Sequence, residues 1–258
     1  MPISYEVRRV QDIPRPIAAT ATEYTPGDTI DWHSHPRAQL IYGIEGVLTV
    51  HTQAGRWVLP PERAVWVPAG TNHRSDIAGR VSMRSLFVVA DACHAMPTAC
   101  CVVIVSPLLR ALILEAVNVP KLYDPDGPDG RLMNVILDQL GKLEATPLYL
   151  PLPTDPRLKR VTDGLSQDLS RRAGLDAWAE TAGASARTLA RLFVKETGLT
   201  FQAWRQQARL LKALEWLAAG KPVTAIALDL GYESPSAFSA MFRGALGMPP
   251  GRYLKSKT

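Results

Sequence analysis

The sequence predicts a two-domain α+β chain. Residues 1–150 should form an antiparallel β-barrel of jelly-roll type with added helices, and residues 151–258 an all-α domain in which a long helix joins two helix-turn-helix units. Three observations predict this. Residues 18–90 alternate short runs rich in Val, Ile, Trp and Tyr with turns bearing Gly or Pro, the pattern of antiparallel strands. The segment 183–198, GASARTLARLFVKETG, returns in loose form at 230–247, LGYESPSAFSAMFRGALG. The offset of 49 residues pairs Ser185 with Ser234, Leu189 with Phe238, Phe193 with Phe242 and Gly198 with Gly247, which marks an internal duplication. Between the halves, residues 146–156 hold four prolines, which suits a semi-rigid linker and not a helix interior.

A chain of 258 residues, 47% hydrophobic and 21% charged, can supply two ordinary cores. Its net charge of +5 is unevenly spread: residues 1–154 carry 13 Lys and Arg against 15 Asp and Glu, and the remainder 16 against 9. The positive charge therefore lies in the half with the duplication, where it suits a polyanion, since Lys and Arg gain affinity by neutralising phosphates; a solubilising basic face is the plainer use. Cys93, Cys100 and Cys101 form neither a disulfide framework nor a zinc-finger spacing, so buried thiols are expected. No apolar run approaches the length of a membrane span, and a cytoplasmic protein without membrane contact is expected.

Along the N-terminal half, turn signals at 25–28, 44–46, 53–55, 68–72 and 77–79 separate apolar runs at 39–44, 47–52, 57–59, 64–67 and 81–89. Closing these strands into a barrel would remove exposed edges. His33 and His35 lie two apart, so on a strand they share a side, and Gln39 has the same parity. His73 follows a Pro-Ala-Gly turn 40 residues after His33, a separation suited to a return strand. Three imidazoles and an amide oxygen can hold Zn, Ni, Fe or Mn; a polar pocket satisfied by hydrogen bonds is the alternative. The barrel can also serve as an effector pocket, with Trp32, Tyr42, Trp57, Trp66 and Phe87 as apolar walls and Arg37 orienting a small ligand.

These residues resemble a known family. Gly27, His33, His35, Gln39 and Gly46 follow the spacing of the first cupin motif, with glutamine where glutamate is usual. Pro68, Ala69, Gly70 and His73 resemble the second, with Glu62 at its leading glycine and Ile77 at its closing asparagine. The resemblance implies that His33, His35 and His73 match the metal histidines and Gln39 the carboxylate ligand. A neutral amide is the weaker ligand and leaves more charge on the ion.

Two amphipathic helices should follow, at 107–117 with Leu108, Leu109, Leu112 and Ile113, and at 130–143 with Leu132, Ile136 and Leu140. They can pack on the barrel or on each other across a two-fold axis. Dimerisation through residues of about 105–145 is the expectation, because symmetry adds affinity and site length to a DNA-binding domain.

The C-terminal half opens with a helix at 157–172, its Leu158, Val161, Leu165 and Leu169 recurring every three to four residues. In the first unit, 175–182 precedes a turn and Ser185 caps the second helix. Leu189, Leu192 and Phe193 form its buried side, while Ala186, Arg187, Ala190, Arg191, Val194 and Lys195 face away. Arginine can bond guanine O6 and N7 together, so Arg187 and Arg191 are the expected base readers. Residues 200–219 form the bridging helix, with Arg205 and Arg209 as expected phosphate contacts. Ser234 caps the second reading helix.

Residues 157–255 resemble the AraC/XylS family of bacterial transcription regulators, through FVKETG, LGYES, the Phe-x-x-x-Phe spacing and GMPPGRY. The resemblance implies a paired helix-turn-helix domain that sets its two reading helices in successive major grooves, preceded by a cupin-like sensor. Arg187, Ala190 and Arg191 match the first reading surface; Pro235, Ser236 and Ala240 match the second. Ala240 stands where a basic residue is common, Ser236 and Ser239 have short reach, and Arg243 suits phosphate, so the second unit should mostly position the first. The expected protein is not an enzyme. It is a DNA-binding regulator of a promoter, controlled by a small-molecule effector or metal, acting as a homodimer and meeting RNA polymerase where its site adjoins it. A metal-dependent cupin enzyme fused to a DNA-binding domain and an effector-independent DNA binder are the alternatives.

Overall fold

Two long strands carry the N-terminal half. In the computed structural model, which describes residues 5–61, 63–92, 96–146 and 148–253, the chain divides into two compact units. One comprises residues 1–53 and 57–148, the other 54–56 and 149–258. Glu62 and Cys93 lie outside the described residues. Residues up to 148 run α1 (Tyr5–Arg9), β1 (Ile17–Tyr24), β2 (Thr29–His33), β3 (Ala38–Thr52), β4 (Gly55–Leu59), β5 (Arg63–Val67), β6 (His73–Val88), β7 (Cys101–Ile104), α2 (Pro107–Ala116), α3 (Pro128–Leu140) and β8 (Ala145–Thr146), and all but the first two residues of β4 belong to the first unit.

β3 and β6, of 15 and 16 residues, pair antiparallel along nearly their whole length. Their register is irregular between Gly43 and Val47. There Gly46 takes φ +78°, and a Cβ on it would fall 2.1 Å from the Arg80 carbonyl oxygen. Only glycine fits such a close approach in the left-handed region. Beyond this irregularity the strands find different neighbours. The C-terminal half of β6 pairs β1, with Ile17 opposite Val88, and its N-terminal half pairs β2.

The sheet is not the closed barrel that the strand pattern predicts. Its path runs β1-β6-β3-β5-β7-β8, with β2 added on β6 and β4 on β3, and no ladder joins β1 to β8 among the described residues. β7 and β8 have four and two residues, too few to carry the path around. The β1 edge is covered instead. The outward carbonyls of Ile17 and Ala19 accept from the Tyr123 hydroxyl, at 3.2 Å, and from the Lys121 ammonium, so an open edge is sealed by side chains.

Alternation along the strands separates two faces. Ile17, Leu40, Tyr42, Trp66, Leu86 and Val88 join one core with Leu109, Ile113 and Ala116 of α2 and with Met133, Ile136 and Leu140 of α3. A period of two on the sheet thus meets a period of 3.6 on the helices. Leu108 and Val135 stay exposed. Cys100 and Cys101 are part-buried free thiols; burial pushes Cys100 up to about 12 and Cys101 upward, so both stay protonated.

The second unit contains β9 (Tyr149–Pro151), α4 (Pro156–Gln167), α5 (Leu175–Ala182), α6 (Ala186–Thr197), α7 (Phe201–Ala218), α8 (Val223–Asp229), α9 (Pro235–Leu246) and α10 (Pro250–Tyr253). α4 stops five residues before the sequence pattern does, because the Asp168 carboxylate accepts from the Ser170 amide at 2.9 Å and turns the chain. The duplication is physical. Ser185 and Ser234 Oγ cap α6 and α9 by accepting from Thr188 and Ala237 amides, at 3.2 and 3.1 Å, and Leu189, Phe193, Phe238 and Phe242 are fully buried. Trp204 of α7 donates its indole N–H to Pro151 O at 2.8 Å, so the part of the proline-rich linker in β9 is docked within this unit.

Replacing Gly46 with alanine should destabilise the first unit by about 2 kcal/mol or more, through left-handed strain and the clash with Arg80. Urea unfolding measures it; an unchanged midpoint would mean that the irregularity accepts a side chain.

Candidate functional site

The first candidate site grows from the register of β2 on β6. That register sets His33 directly opposite His73, and β3 adds Thr52 on the other side of His73. His35 follows two residues after β2 in a loop pinned by the Gly70 amide donating to His35 O at 2.9 Å. The rings of His33 and His73 lie 4.2 Å apart, with His35 at 5.9 and 5.2 Å from them. One ligand nitrogen from each lies within 4.8 Å of the others.

Backbone carbonyls select the tautomer of all three rings. The Nδ1 atoms of His33, His73 and His35 lie 2.8, 2.8 and 2.5 Å from the carbonyl oxygens of Asp31, Thr71 and Arg37. A carbonyl only accepts, so each Nδ1 carries a proton; in His33 and His73 this leaves the lone pair on Nε2, the arrangement found around metal-bound imidazoles. His73 Nε2 is buried without a hydrogen-bond partner. Burial, with His33 adding repulsion, pulls the His73 pKa down to about 3, and burial lowers His33 as well. Both rings are therefore neutral at pH 7, as ligation requires. An orphaned buried nitrogen and three clustered imidazoles fit a divalent transition metal.

Gln39 is engaged inside this cluster. Its amide lies 3.0 Å from His35 Nε2 at one end and 2.9 Å from Ser85 Oγ at the other. Gln39 Oε1 faces the His35 ring and its Nε2 donates to the Ser85 hydroxyl, so the amide bridges the two side chains. Ser85 is fully buried and was not singled out from the sequence. Parity could have found it, since it stands opposite Ile41, two residues from Gln39.

Of the expected effector residues, Phe87 meets the His35 ring edge to face at 5.3 Å, whereas Trp32, Arg37, Tyr42 and Trp66 do not join the cluster. Tyr42 and Trp66 lie in the core under α2 and α3, three residues from Gln39 being the opposite face of the strand and not the same one. Trp32 is 50% exposed, with Arg74 over its ring. Arg37 is buried and donates from Nε and Nη2 to the Gln11 and Ile13 carbonyls, at 3.0 and 2.6 Å.

The second candidate site is helical. Arg187, Ala190, Arg191, Val194 and Lys195 are all exposed along one side of α6, opposite its buried Leu189, Leu192 and Phe193. On α9, Pro235, Ser236, Ala240 and Arg243 are exposed and Ser239 is partly so. Ser185 and Ser234 spend their hydroxyls on the caps. Arg205 and Arg209 turn inward: Arg205 donates to Ala173 O at 3.1 Å and Arg209 to Leu169 O at 2.8 Å.

Paired helix-turn-helix units that follow a cupin-type sheet along the chain define a class, the DNA-binding transcription regulator. The comparisons agree. A family model described as a helix-turn-helix domain matches residues 178–256, and one described as a cupin domain matches 21–89. The chain is 37% identical over 226 residues to the HTH-type transcriptional regulator NimR of Escherichia coli K12, covering 88% of this chain and 82% of that one. It is 35% identical over 105 residues to a putative AraC-like transcription regulator of Streptomyces lividans, covering 40% and 34%. Among solved structures, ToxT of Vibrio cholerae aligns over 95% of this chain and 100% of its own, with 12% identity and a TM-score of 0.41, too distant a likeness to carry weight. The chain belongs to the AraC/XylS family of transcription regulators. No helix among the described residues is long and apolar enough to cross a membrane.

The His73 shift has a sign. Its folded pKa of about 3 lies below the ordinary 6.5, so below pH 6.5 the unfolded chain takes a proton that the folded one refuses. Metal-free protein should lose stability as pH falls from 6.5 toward 3, by up to roughly 1.4 kcal/mol per pH unit from this ring. His73→Gln should flatten that slope in denaturant titrations at several pH values; an identical slope would assign it elsewhere.

Proposed function

We propose that this regulator binds a promoter through α6 and α9 and that occupancy of its histidine cluster by a metal or small effector changes that binding. The observation that carries this reading is that one chain combines three histidines, whose ligand nitrogens lie within 4.8 Å of one another, with an exposed arginine face on a capped helix. Arg187 and Arg191 stand one turn apart on α6, with Ala190 between them leaving room for the groove wall. Arginine there can bond guanine edges bidentately. Lys195 and Arg243, at later positions of their helices, suit phosphates, as do the amide ends of helices capped by Ser185 and Ser234. Pro235, Ser236, Ser239 and Ala240 offer α9 short reach, so it positions more than it reads.

In the sensor, His33, His35 and His73 would hold a Zn, Ni, Fe or Mn ion, and a bound ion would supply a positive centre for an oxygen or nitrogen of the effector. Gln39 and Ser85 orient His35, and the carbonyls of Asp31, Arg37 and Thr71 keep all three rings turned inward. The effector would then meet the inner face, with Ile41, Ser85 and Phe87, in place of the Tyr42 and Trp66 walls expected from the sequence. Ligand binding acts as a switch only if its free energy differs between DNA-competent and incompetent arrangements. A homodimer through the exposed sides of α2 and α3, where Leu108 and Val135 face solvent, would pair two such domains on one promoter. RNA polymerase is the partner when the site adjoins its own. Footprinting on genomic DNA with and without added divalent metal tests the reading; identical protection in both conditions, together with no bound metal, would remove the metal from it.

Arg187→Ala or Arg191→Ala should cut the preference for the cognate site over a mutated one by about 1–3 kcal/mol, while Arg243→Ala weakens binding to all duplexes alike. Band-shift titrations on both duplexes separate the two behaviours, and uniform weakening by the α6 variants would deny them a reading role. His35→Ala and His73→Ala should each lower cobalt affinity by at least about tenfold, using the sensitivity of metal sites to lost support as a floor. The visible absorption of bound cobalt reports this directly, whatever happens to DNA binding.

A further inference from the structure

The two helix-turn-helix units are joined twice. α7 connects them along the chain, and the loop 168–174 between α4 and α5 connects them a second time. Toward the first unit, α4 lies so close to α5 that a Cβ on Gly164 would come 2.7 Å from the Trp178 ring. Arg160 also donates to Ala182 O, at the end of α5, at 2.8 Å, and Arg171 lies 4.4 Å over the Trp178 ring. Toward the second unit, the loop backbone meets the turn before α9. Gly231 has φ +76°, and a Cβ on it would fall 2.4 Å from Ser170 O. Arg172 pairs with Glu233 at 3.1 Å, although both are exposed and the pair adds little by itself.

Two arginines of α7 hold this loop in place. Arg205 takes Ala173 O and Arg209 takes Leu169 O. Arg209 does more: its guanidinium lies 5.4 Å over the Tyr232 ring, and Tyr232 meets Phe238 of α9 edge to face at 5.5 Å. The residue thus touches the loop and the root of the second reading helix at once. Its charged neighbours are the like-charged Arg205 and Arg172, the Tyr232 hydroxyl is its side-chain hydrogen-bonding neighbour, and no salt bridge to a carboxylate is formed among the described residues. A planar guanidinium can donate in its plane while stacking on an aromatic face, which a lysine ammonium cannot do as well.

We propose that Arg209 is a positioning residue for DNA recognition: by tying the 168–174 loop to Tyr232 it sets the angle between α6 and α9, and so the spacing between the two groove contacts. This replaces the phosphate contact expected from its position in the sequence, and it rests on the reading that both α6 and α9 enter DNA. One inserted base pair turns the second groove segment by roughly 34° relative to the first. A rigid pair of helices loses its fit to such a site; a loosened pair follows it.

The test uses the full-length protein and a duplex taken from its own genomic footprint, with versions lengthened or shortened by one base pair between the two protected segments. Wild-type protein should lose at least about tenfold in affinity on either altered duplex, the penalty of a misplaced contact. Arg209→Ala should reduce that penalty to less than about threefold, with the slope of affinity against salt unchanged, since no phosphate contact is lost. Arg209→Lys keeps the charge, covers the case in which the alanine variant does not fold, and should flatten the spacing penalty too. Retention of the full penalty by Arg209→Lys and by any folded Arg209→Ala, or a salt slope lower by about one in the alanine variant, overturns the clamp. Wild-type protection of a single groove segment would overturn the two-helix reading, and the clamp with it.

Discussion

Alternation of side chains along β3 and β6 is the constraint on which the sensor depends. Each residue must face one side of the sheet, so Leu40, Tyr42, Leu86 and Val88 go to α2 and α3 while Gln39, Ile41, Ser85 and Phe87 turn to the other side with His35. A slip of one residue would exchange the two sets. The β2 register is held by a short turn in which Asp28 accepts from the Thr25 amide at 2.8 Å and the Gly27 amide donates to Ile77 O at 3.4 Å. The His33–His73 pair depends on that turn and on the irregularity that shifts the register by one residue between Ile30 and His33.

The cluster's chemistry follows from what surrounds it. Each imidazole proton is given to a backbone carbonyl two residues away along the chain, so the tautomer is set by local geometry and not by a mobile side chain. Among the described residues no carboxylate joins the three rings, and glutamine occupies the position of the expected acid. Such a site has no carboxylate to offset the charge of a bound ion. Arg37, nearby in sequence, faces away from this work and binds the chain between α1 and β1 through two carbonyls. A buried guanidinium that bonds carbonyls avoids the loss that an unpaired one would suffer.

In the helical unit, arginine serves opposite ends. Arg187 and Arg191 are exposed on α6, whereas Arg205 and Arg209 on α7 turn back to the loop after α4. The same residue type at the same helical spacing is therefore surface on one helix and framework on another. The copies differ likewise. Their caps and aromatic cores correspond, with Phe193 and Phe242 both fully buried, but their outward faces do not, since α9 shows Pro235, Ser236 and Ala240 where α6 shows its arginines. Burial constrains the shared half of each helix and leaves the outer half free to diverge.

The sequence by itself determined the features that need only a few residues to be expressed. Serine caps, helix stripes, the 49-residue duplication and the His-x-His spacing act over one or two turns or along one strand, where local sterics and hydrogen bonds decide. Tertiary structure decided what depends on distant partners. Whether the sheet closes turns on the lengths of β7 and β8 and on how residues 121–123 cover β1. Which aromatics share a face with the histidines turns on strand parity around Gln39 and on where α2 and α3 dock. Whether an arginine meets solvent or a loop carbonyl turns on contacts 32 and 40 residues away. Periodicity says that a side has partners; only the folded chain supplies them, because the pairing of distant segments is a property of the whole core and not of any window along it.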